Sequence, residues 1–206
     1  MVRPRFHKLA VARQEHILNA ALSEFAAHGF ADASLNRIID AAGISKGSMY
    51  YYFDGKEDLY THVIRDRLER LLGGAGPFPV PPAGTPDEFW SSLTELYLRL
   101  MKVLLTSPEV AALLRGWLSG GGAPSVSTAQ QEAEQATLPW LLGTLAVGQE
   151  IGAVRTDLPT DLLLALVMSL GQVIDIWLIR QPPASADLDR TVRTLIDVIR
   201  RAVAPD

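Results

Sequence analysis

The stretch SLNRIIDAAGISKGSMYYYFDGK, residues 34–56, decides the fold, because it reads as two short helices joined by a glycine turn. Ser34 can accept hydrogen bonds from the free N–H groups at a helix start, and apolar residues follow at the spacing of one helix face. Gly43 can take the positive φ that ends this helix, and Ser45 can cap the next one. The pattern predicts a helix-turn-helix.

The second of these helices, residues 46–52, is about 10 Å long at roughly 1.5 Å per residue, too short to be stable alone. Met49 and Phe53 share one face, which we expect to be core. Gly47 and Tyr51 point nearly the opposite way, and two more tyrosines flank them. A glycine, several hydroxyls and a neighbouring lysine suit insertion into a DNA major groove.

The next residues predict a longer helix. Asp54 and Glu57 form an acidic variant of a capping box, and the helix they open extends to about Leu72. Lys56 lies at its N-terminal edge, beside the predicted groove-binding surface. Lysine and helix N-terminus together predict a phosphate clamp.

From about Arg13 to Leu72 the chain resembles the DNA-binding domain of TetR-type transcriptional regulators. The resemblance is carried, in order, by QEHILNAALSEFAAHGF, AAGISKGSMYYYF and DGKEDLY. It implies that one group of residues lies at or near bases, namely Lys46, Gly47, Ser48 and Tyr52. It implies that a second group holds phosphates, namely Asn36, Tyr50 and Lys56. With the residues singled out by local pattern, the predicted DNA-contacting set is Ser34, Asn36, Arg37, Ser45, Lys46, Gly47, Ser48, Tyr50, Tyr51, Tyr52 and Lys56.

Charge is unevenly distributed along the 206 residues, whose net charge is −4. Residues 1–72 carry ten basic and nine acidic side chains, so attraction to DNA must come from local placement of cations. Arg3, Arg5, Lys8 and Arg13 precede the first helix as a basic arm, which is either a solvated tail or a DNA-binding arm. The absence of cysteine and of an apolar leader favours a cytoplasmic protein.

The remainder predicts a second helical domain. Nine of the fourteen residues in GGAGPFPVPPAGTP, residues 73–86, are Gly or Pro, which indicates a linker or, given the resemblance, the edge of a ligand cavity. We expect an all-α protein of about nine helices: a helix-turn-helix DNA-binding domain at 1–72, with its fourth helix as connector, a loop at 73–86, and a ligand-binding and dimerisation domain at 87–206. Within the latter, a helix from about Thr128 to Glu150 should be kinked or split at Pro139.

The last two predicted helices, about 159–180 and 187–204, carry more apolar surface than one protomer can bury. The first is nearly long enough to span a bilayer, but Gln172 and Asp175 interrupt it, so a helix buried in a protein and no membrane contact are expected. Pairing with a second copy would bury the surplus. The predicted dimer interface is Leu166, Leu170, Val173, Trp177, Val192, Leu195, Ile196 and Ile199.

No catalytic or metal-binding constellation is recognisable, and no cofactor is expected; the four histidines, His7, His16, His28 and His62, are interpreted as solvated or helix-capping. Large adaptable side chains could line a pocket for a small apolar molecule. The candidates are Trp90, Tyr97, Met101, Trp117, Trp140, Met168, Gln172 and Asp175. Gln172 and Asp175 could instead lie in the dimer interface.

These patterns favour a homodimeric repressor that a small apolar ligand releases from a near-palindromic operator. A helical carrier or sensor without DNA binding is the alternative, because the first domain is nearly neutral. An enzyme is the least favoured class.

Overall fold

The computed structural model describes residues 4–76, 79, 84–118, 124–182, 184 and 187–205, with the backbone alone described at 118 and 124–136. Within these residues the chain forms nine α-helices, a short 3-10 turn and no strand, as the sequence predicted. The elements are the 3-10 turn Phe6–Lys8, α1 Val11–Asp32, α2 Leu35–Ala41, α3 Lys46–Tyr52, α4 Lys56–Ala75, α5 Pro86–Leu105, α6 Pro108–Leu118, α7 Pro124–Glu150, α8 Thr160–Arg180 and α9 Leu188–Val203.

The starts of α2 and α3 are where their capping residues predicted them. The Ser34 hydroxyl accepts from the Arg37 N–H, and the Ser45 hydroxyl accepts from the Ser48 N–H. Thr85 forms a full capping box with Glu88 at the start of α5. Short-range hydrogen bonding of this kind depends only on residues three apart, so the sequence alone places these boundaries.

Two compact units are present. The first comprises residues 1–70 and 107–132, and the second comprises 71–106 and 133–206. The predicted division at residues 72 and 87 therefore differs from the packing, because α6 packs on α1 and belongs to the first unit. No pattern within α6 itself distinguishes a helix that packs on α1 from one that packs elsewhere.

The core of the first unit lies between α1 and its neighbours. The apolar stripe of α1 is buried and consists of Ile17, Leu18, Ala21, Leu22 and Phe25. Gly29 has a positive φ, 68°, which interrupts the helix, and helical backbone resumes after it and continues to Asp32. Phe30 packs back on Tyr60, with ring centroids 5.0 Å apart.

The fourth helix is longer than predicted. It continues to Ala75 through Gly73 and Gly74, which the sequence analysis assigned to the loop at 73–86. A side chain at residue 74 would put its Cβ 3.1 Å from a methyl of Val103, so glycine allows close packing there. Arg99 Nε donates to the Ala75 carbonyl at 3.0 Å. Tertiary contacts thus override the weak helix propensity of glycine. Much of the remaining predicted loop, residues 77, 78 and 80–83, lies outside the described residues, as do Arg3 and residues 120–122.

Helix α7 also differs from its prediction. It begins at Pro124, four residues before Thr128, and is one continuous helix through Pro139 rather than two pieces. Proline is well suited to the first helical position, which explains the earlier start.

The second unit is organised around α9, which packs on α5 and on α8. The junction before α8 is anchored to the end of α9, since the Arg155 N–H donates to the Val203 carbonyl at 2.8 Å. The Arg155 guanidinium binds the Asp157 carboxylate at 2.6 Å and lowers its pKa. Gly152 supplies the positive φ, 73°, that the turn requires.

Candidate nucleic-acid interface

Helix α3 separates its residues into a buried and an exposed face. Met49 and Phe53 are fully buried, as predicted, and attach the helix to the core. Tyr50 and Tyr51 have 44% and 47% of their surface exposed, and Tyr52 is half-buried. Single tyrosines at a surface are ordinary, but adjacent exposed tyrosines on a seven-residue helix form a surface that is available to a partner.

The serines hold the start of α3 in place. Ser45 Oγ accepts from the Ser48 N–H at 3.0 Å and lies 2.9 Å from the Ser48 hydroxyl. Lys46 and Gly47 follow this cap and are exposed. Lys46 and Gly47 therefore lie exposed at the N-terminal end of α3, in its first turn. Such a helix end can bind a phosphate or the edge of a base.

A carboxylate that sequence reasoning did not single out positions the start of α2. Glu24 on α1 accepts from the Ser34 N–H at 2.8 Å and from Arg37 Nε at 2.8 Å. The hydrogen bond from Arg37 is the largest cause that lowers the pKa of Glu24, although partial burial opposes it. Asn36, which lies between Ser34 and Arg37 in the chain, is exposed. The guanidinium of Arg37, predicted to attract DNA, is thus already paired, which reduces the charge that it presents.

Two other cations, one of the predicted interface and one of the basic arm, bind backbone carbonyls. Lys56 Nζ donates to Ala31 O at 2.9 Å and to Ala33 O at 3.0 Å, and it lies 4.9 Å from the centroid of the Phe30 ring. Arg13 Nη2 donates to Gly43 O at 2.8 Å. These hydrogen bonds attach the start of α4 to the end of α1 and to the residue that follows it, and the role of Lys56 as a phosphate ligand stays a prediction.

The capping of α4 also differs in detail. The Asp54 N–H donates to Asp58 at 3.0 Å, one residue beyond the predicted partner Glu57. The helix begins at Lys56, so Asp58 at its third position is the residue with capping-box spacing from Gly55. Predicting a cap from Asp54 placed the helix start one residue too early.

The N-terminal arm is docked on the first unit, through a residue that the sequence analysis overlooked. Phe6 is fully buried, and its ring centroid lies 4.9 Å from that of Phe53 and 5.3 Å from that of His62. A lone aromatic within a basic arm was the signal that could have indicated this. His62 is therefore not solvated as predicted; burial lowers the pKa of its imidazole, while Asp66 partly opposes that effect.

Against this geometry, comparisons with known proteins assign a family. The sequence model for bacterial regulatory proteins of the tetR family matches residues 17–63, the segment from the α1 stripe to the first turns of α4. Residues 17–63 therefore carry a TetR-family DNA-binding segment. TetR-family members are transcriptional regulators, and the matched segment contains the helix-turn-helix and the exposed tyrosines of α3.

Individual TetR-family relatives extend the likeness to the whole chain. The HTH-type transcriptional repressor KstR2 of Rhodococcus jostii is 23% identical over 192 residues, 93% of this chain and 91% of the relative. The HTH-type transcriptional regulator RutR of Escherichia coli is 43% identical over 61 residues, 30% of this chain and 29% of RutR. A TetR-family transcription regulator from a Shewanella species has the same fold, with a TM-score of 0.74 at 16% identity, over 94% of this chain and 99% of that one.

In the second unit, the structure brings together two of the predicted ligand-contacting residues. The Tyr97 hydroxyl on α5 donates a hydrogen bond to the Asp175 carboxylate on α8. Burial raises the pKa of Asp175 to about 6, against the opposing effect of this hydrogen bond. Burial, followed by the nearby Asp175 charge, raises the pKa of Tyr97. The pair is a part-buried polar contact between α5 and α8, and a strongly raised carboxyl pKa of this kind is a feature of many functional sites.

The other predicted ligand residues are dispersed. Trp90 and Met101 are buried on α5, and Met168 shares a face of α8 with Asp175. Gln172 on α8 is exposed, and Trp140 on α7 donates from its indole N–H to Pro79 O at 3.2 Å. Trp117 belongs to the first unit and is buried there.

A long apolar surface on α8 and α9 is open in the protomer. Val173 is 65% exposed and Trp177 43%, and Leu162 and Val198 are also exposed. Leu166, Leu170, Leu195 and Ile199 are half-buried. Val192 and Ile196, predicted in the dimer interface, are instead buried within the protomer. The apolar stripe of α9 faces the inside of the unit, where α9 packs on α5.

Proposed function

We propose that this chain is a homodimeric, sequence-specific repressor. Helix α3 binds a near-palindromic operator, and a small-molecule effector releases the protein from it. The observation that carries the proposal is the exposed tyrosine surface of α3, with Lys46 and the Ser45 cap at its edge, inside the segment that matches the family. Repression is favoured over activation because relatives that span nearly the whole chain are repressors. We also propose that the protein is cytoplasmic and has no catalytic role.

The open surface of α8 supports the homodimer. By length and composition α8 could cross a membrane, and only 22% of its most apolar 18-residue stretch is buried in the protomer, so the rest is open to a partner. Asp175 and Gln172 within it argue against a lipid environment. A second copy, with the same surface related by a two-fold axis, buries hydrocarbon against hydrocarbon. Two α3 helices then reach half-sites about 34–36 Å apart.

The Tyr97–Asp175 pair supports an effector site in the second unit, in the predicted domain of residues 87–206. Large apolar side chains on the same faces of α5 and α8 suit an apolar molecule, and the buried carboxyl suits a hydroxyl or a cationic group on it. A preference of the effector for one of two conformations, with a coupling of about 1–3 kcal/mol, would change operator affinity about 5- to 150-fold.

The test is a titration of the purified full chain with duplex DNA from upstream of its own gene and with a random duplex, each over a range of salt concentrations. The proposal expects a preference for the upstream DNA and a strong loss of affinity as salt rises. Equal affinity for both duplexes at every salt concentration would contradict it. A carrier or sensor without DNA binding is distinguished at low salt, where it would bind neither duplex.

A further inference from the structure

We propose that the N-terminal arm and α3 form a single preassembled DNA-binding surface, in which Arg5, held on the ring of Tyr51, contacts the phosphate backbone. The inference rests on the proposed DNA-binding function and adds a residue that the match at residues 17–63 does not include. Four observations carry it: the burial of Phe6, the stacking of Arg5, the exposure of Tyr51 and the engagement of neighbouring cations elsewhere.

Phe6 fixes the arm to the helix-turn-helix. Its ring is fully buried and contacts the rings of Phe53 at the end of α3, Tyr52 on α3 and His62 on α4. Burying a phenylalanine side chain stabilises the docked arm. The residue immediately before it, Arg5, therefore has a defined position instead of that of a solvated tail.

Arg5 uses that position to stack on the candidate interface. Its Cζ atom lies 4.1 Å from the centroid of the Tyr51 ring. Tyr51 is on the side of α3 opposite the buried Met49, and nearly half of its surface is exposed. A guanidinium on an aromatic face keeps its in-plane N–H donors available, and those donors match the geometry of a phosphate.

The other cations near α3 divide into engaged and available groups. Three cations are engaged by the protein itself. Arg13 donates to Gly43 O and Arg37 to the Glu24 carboxylate. Lys56 donates to the carbonyls of residues 31 and 33. Arg5, Lys8 and Lys46 are exposed, and among the described residues no carboxylate pairs with their side chains. Because residues 1–72 are nearly neutral, the available cations determine the electrostatic attraction, and Arg5 is the one held against a tyrosine of α3.

The test compares Arg5→Ala with Lys8→Ala in the full chain, using the upstream duplex over a range of salt concentrations. Both variants remove one exposed cation from the same arm, but only Arg5 is stacked. We expect Arg5→Ala to weaken binding about 10-fold and to reduce the salt slope by about 0.9, and Lys8→Ala to weaken it less than about 3-fold. Equal losses for the two variants would overturn the proposal, since they would indicate an unstructured cationic tail.

Two further variants test the stacking and the anchor. In a Tyr51→Leu background, the loss caused by Arg5→Ala should shrink to less than about 3-fold, because the platform that positions the guanidinium is gone. An undiminished loss would overturn the role of Tyr51. Phe6→Ala leaves every arm cation in place. Weaker DNA binding by this variant would support docking of the arm, provided that thermal unfolding shows the variant to be folded. Binding at the unchanged level would overturn it. A wild-type chain that binds neither duplex would instead refute the proposed function itself.

Discussion

Helices α3 and α8 both expose aromatic or apolar surface, but the surfaces differ in kind. On α3 the exposed rings are tyrosines with hydroxyls, beside Lys46 and a serine cap. On α8 the exposed groups are those of Val173, Leu162 and Trp177, with few polar groups between them. The first surface can hydrogen-bond and is flanked by a cation, so it suits nucleic acid. The second is hydrocarbon, so it suits another copy of the same surface.

Exposure alone does not identify the partner of a surface. Each surface is paired with a buried face that fixes its orientation: Met49 and Phe53 for α3, and Leu163, Ile174 and Leu178 for α8. The predictions below separate the buried face from the exposed face of each helix, and their expected effects decrease in size.

The largest effect is expected inside α3. Phe53→Ala should lower the free energy of unfolding by about 3–5 kcal/mol, because a fully buried ring leaves a cavity. Tyr50→Ala, on the exposed face, should change it by less than about 0.5 kcal/mol while weakening DNA binding. Chemical denaturation and DNA titration measure the two quantities. A large loss of stability in Tyr50→Ala would show that the ring serves the fold.

On α8, Val173→Glu should raise the dimer dissociation constant by at least about 100-fold, since it places a charge in an apolar interface. Operator affinity should fall with it. Sedimentation equilibrium measures the first effect, and Ser91→Glu, at an exposed position of α5, is the control. A dimer that is unchanged by Val173→Glu would place the interface elsewhere.

The interior side of α8 gives a pH-dependent effect. Burial raises the pKa of Asp175 from its usual 3.8 to about 6, so between these values the folded chain holds a proton that the unfolded chain releases. Its contribution to stability is full below about pH 4 and is lost as pH rises through 6, by up to about 3 kcal/mol. Compared with wild type, Asp175→Asn should show a smaller fall in unfolding free energy across that range. Parallel pH profiles would contradict the raised pKa.

The smallest effect distinguishes two lysines. Lys46→Ala should reduce the salt slope of DNA binding by about 0.9 and leave the unfolding free energy nearly unchanged, because its side chain is exposed. Lys56→Ala should lower the unfolding free energy by about 1 kcal/mol, because two carbonyls lose their donor. Salt titrations and denaturation of both variants provide the measurement. A larger change in salt slope for Lys56→Ala than for Lys46→Ala would show that Lys56 is the main phosphate ligand.

Features that depend on neighbouring residues could be predicted from the sequence. Ser34, Gly43, Ser45 and the two buried residues of α3 required only spacing and capping chemistry. Features that depend on distant segments could not be predicted. The burial of Phe6, the pairing of Arg37 with Glu24 and the inward face of Val192 each require a contact between elements that no local pattern specifies.

Within the candidate site, the sequence predicted the faces of α3 but not the engagement of its cations. Lys56 and Arg37 have the residue type and position of phosphate ligands, yet both bind protein acceptors here. The carbonyls that hold Lys56 lie more than 20 residues earlier in the chain, so only the tertiary structure brings them within reach.

The most direct test of the central claim, that α3 presents its tyrosine surface in duplicate to DNA, is a hydroxyl-radical footprint on the duplex upstream of the gene. The account predicts two protected patches on one side of the duplex, with centres about 10–10.5 base pairs apart or a multiple of that, and their loss in Tyr50→Ala/Tyr51→Ala. A single patch, or protection that survives this double substitution, would contradict it.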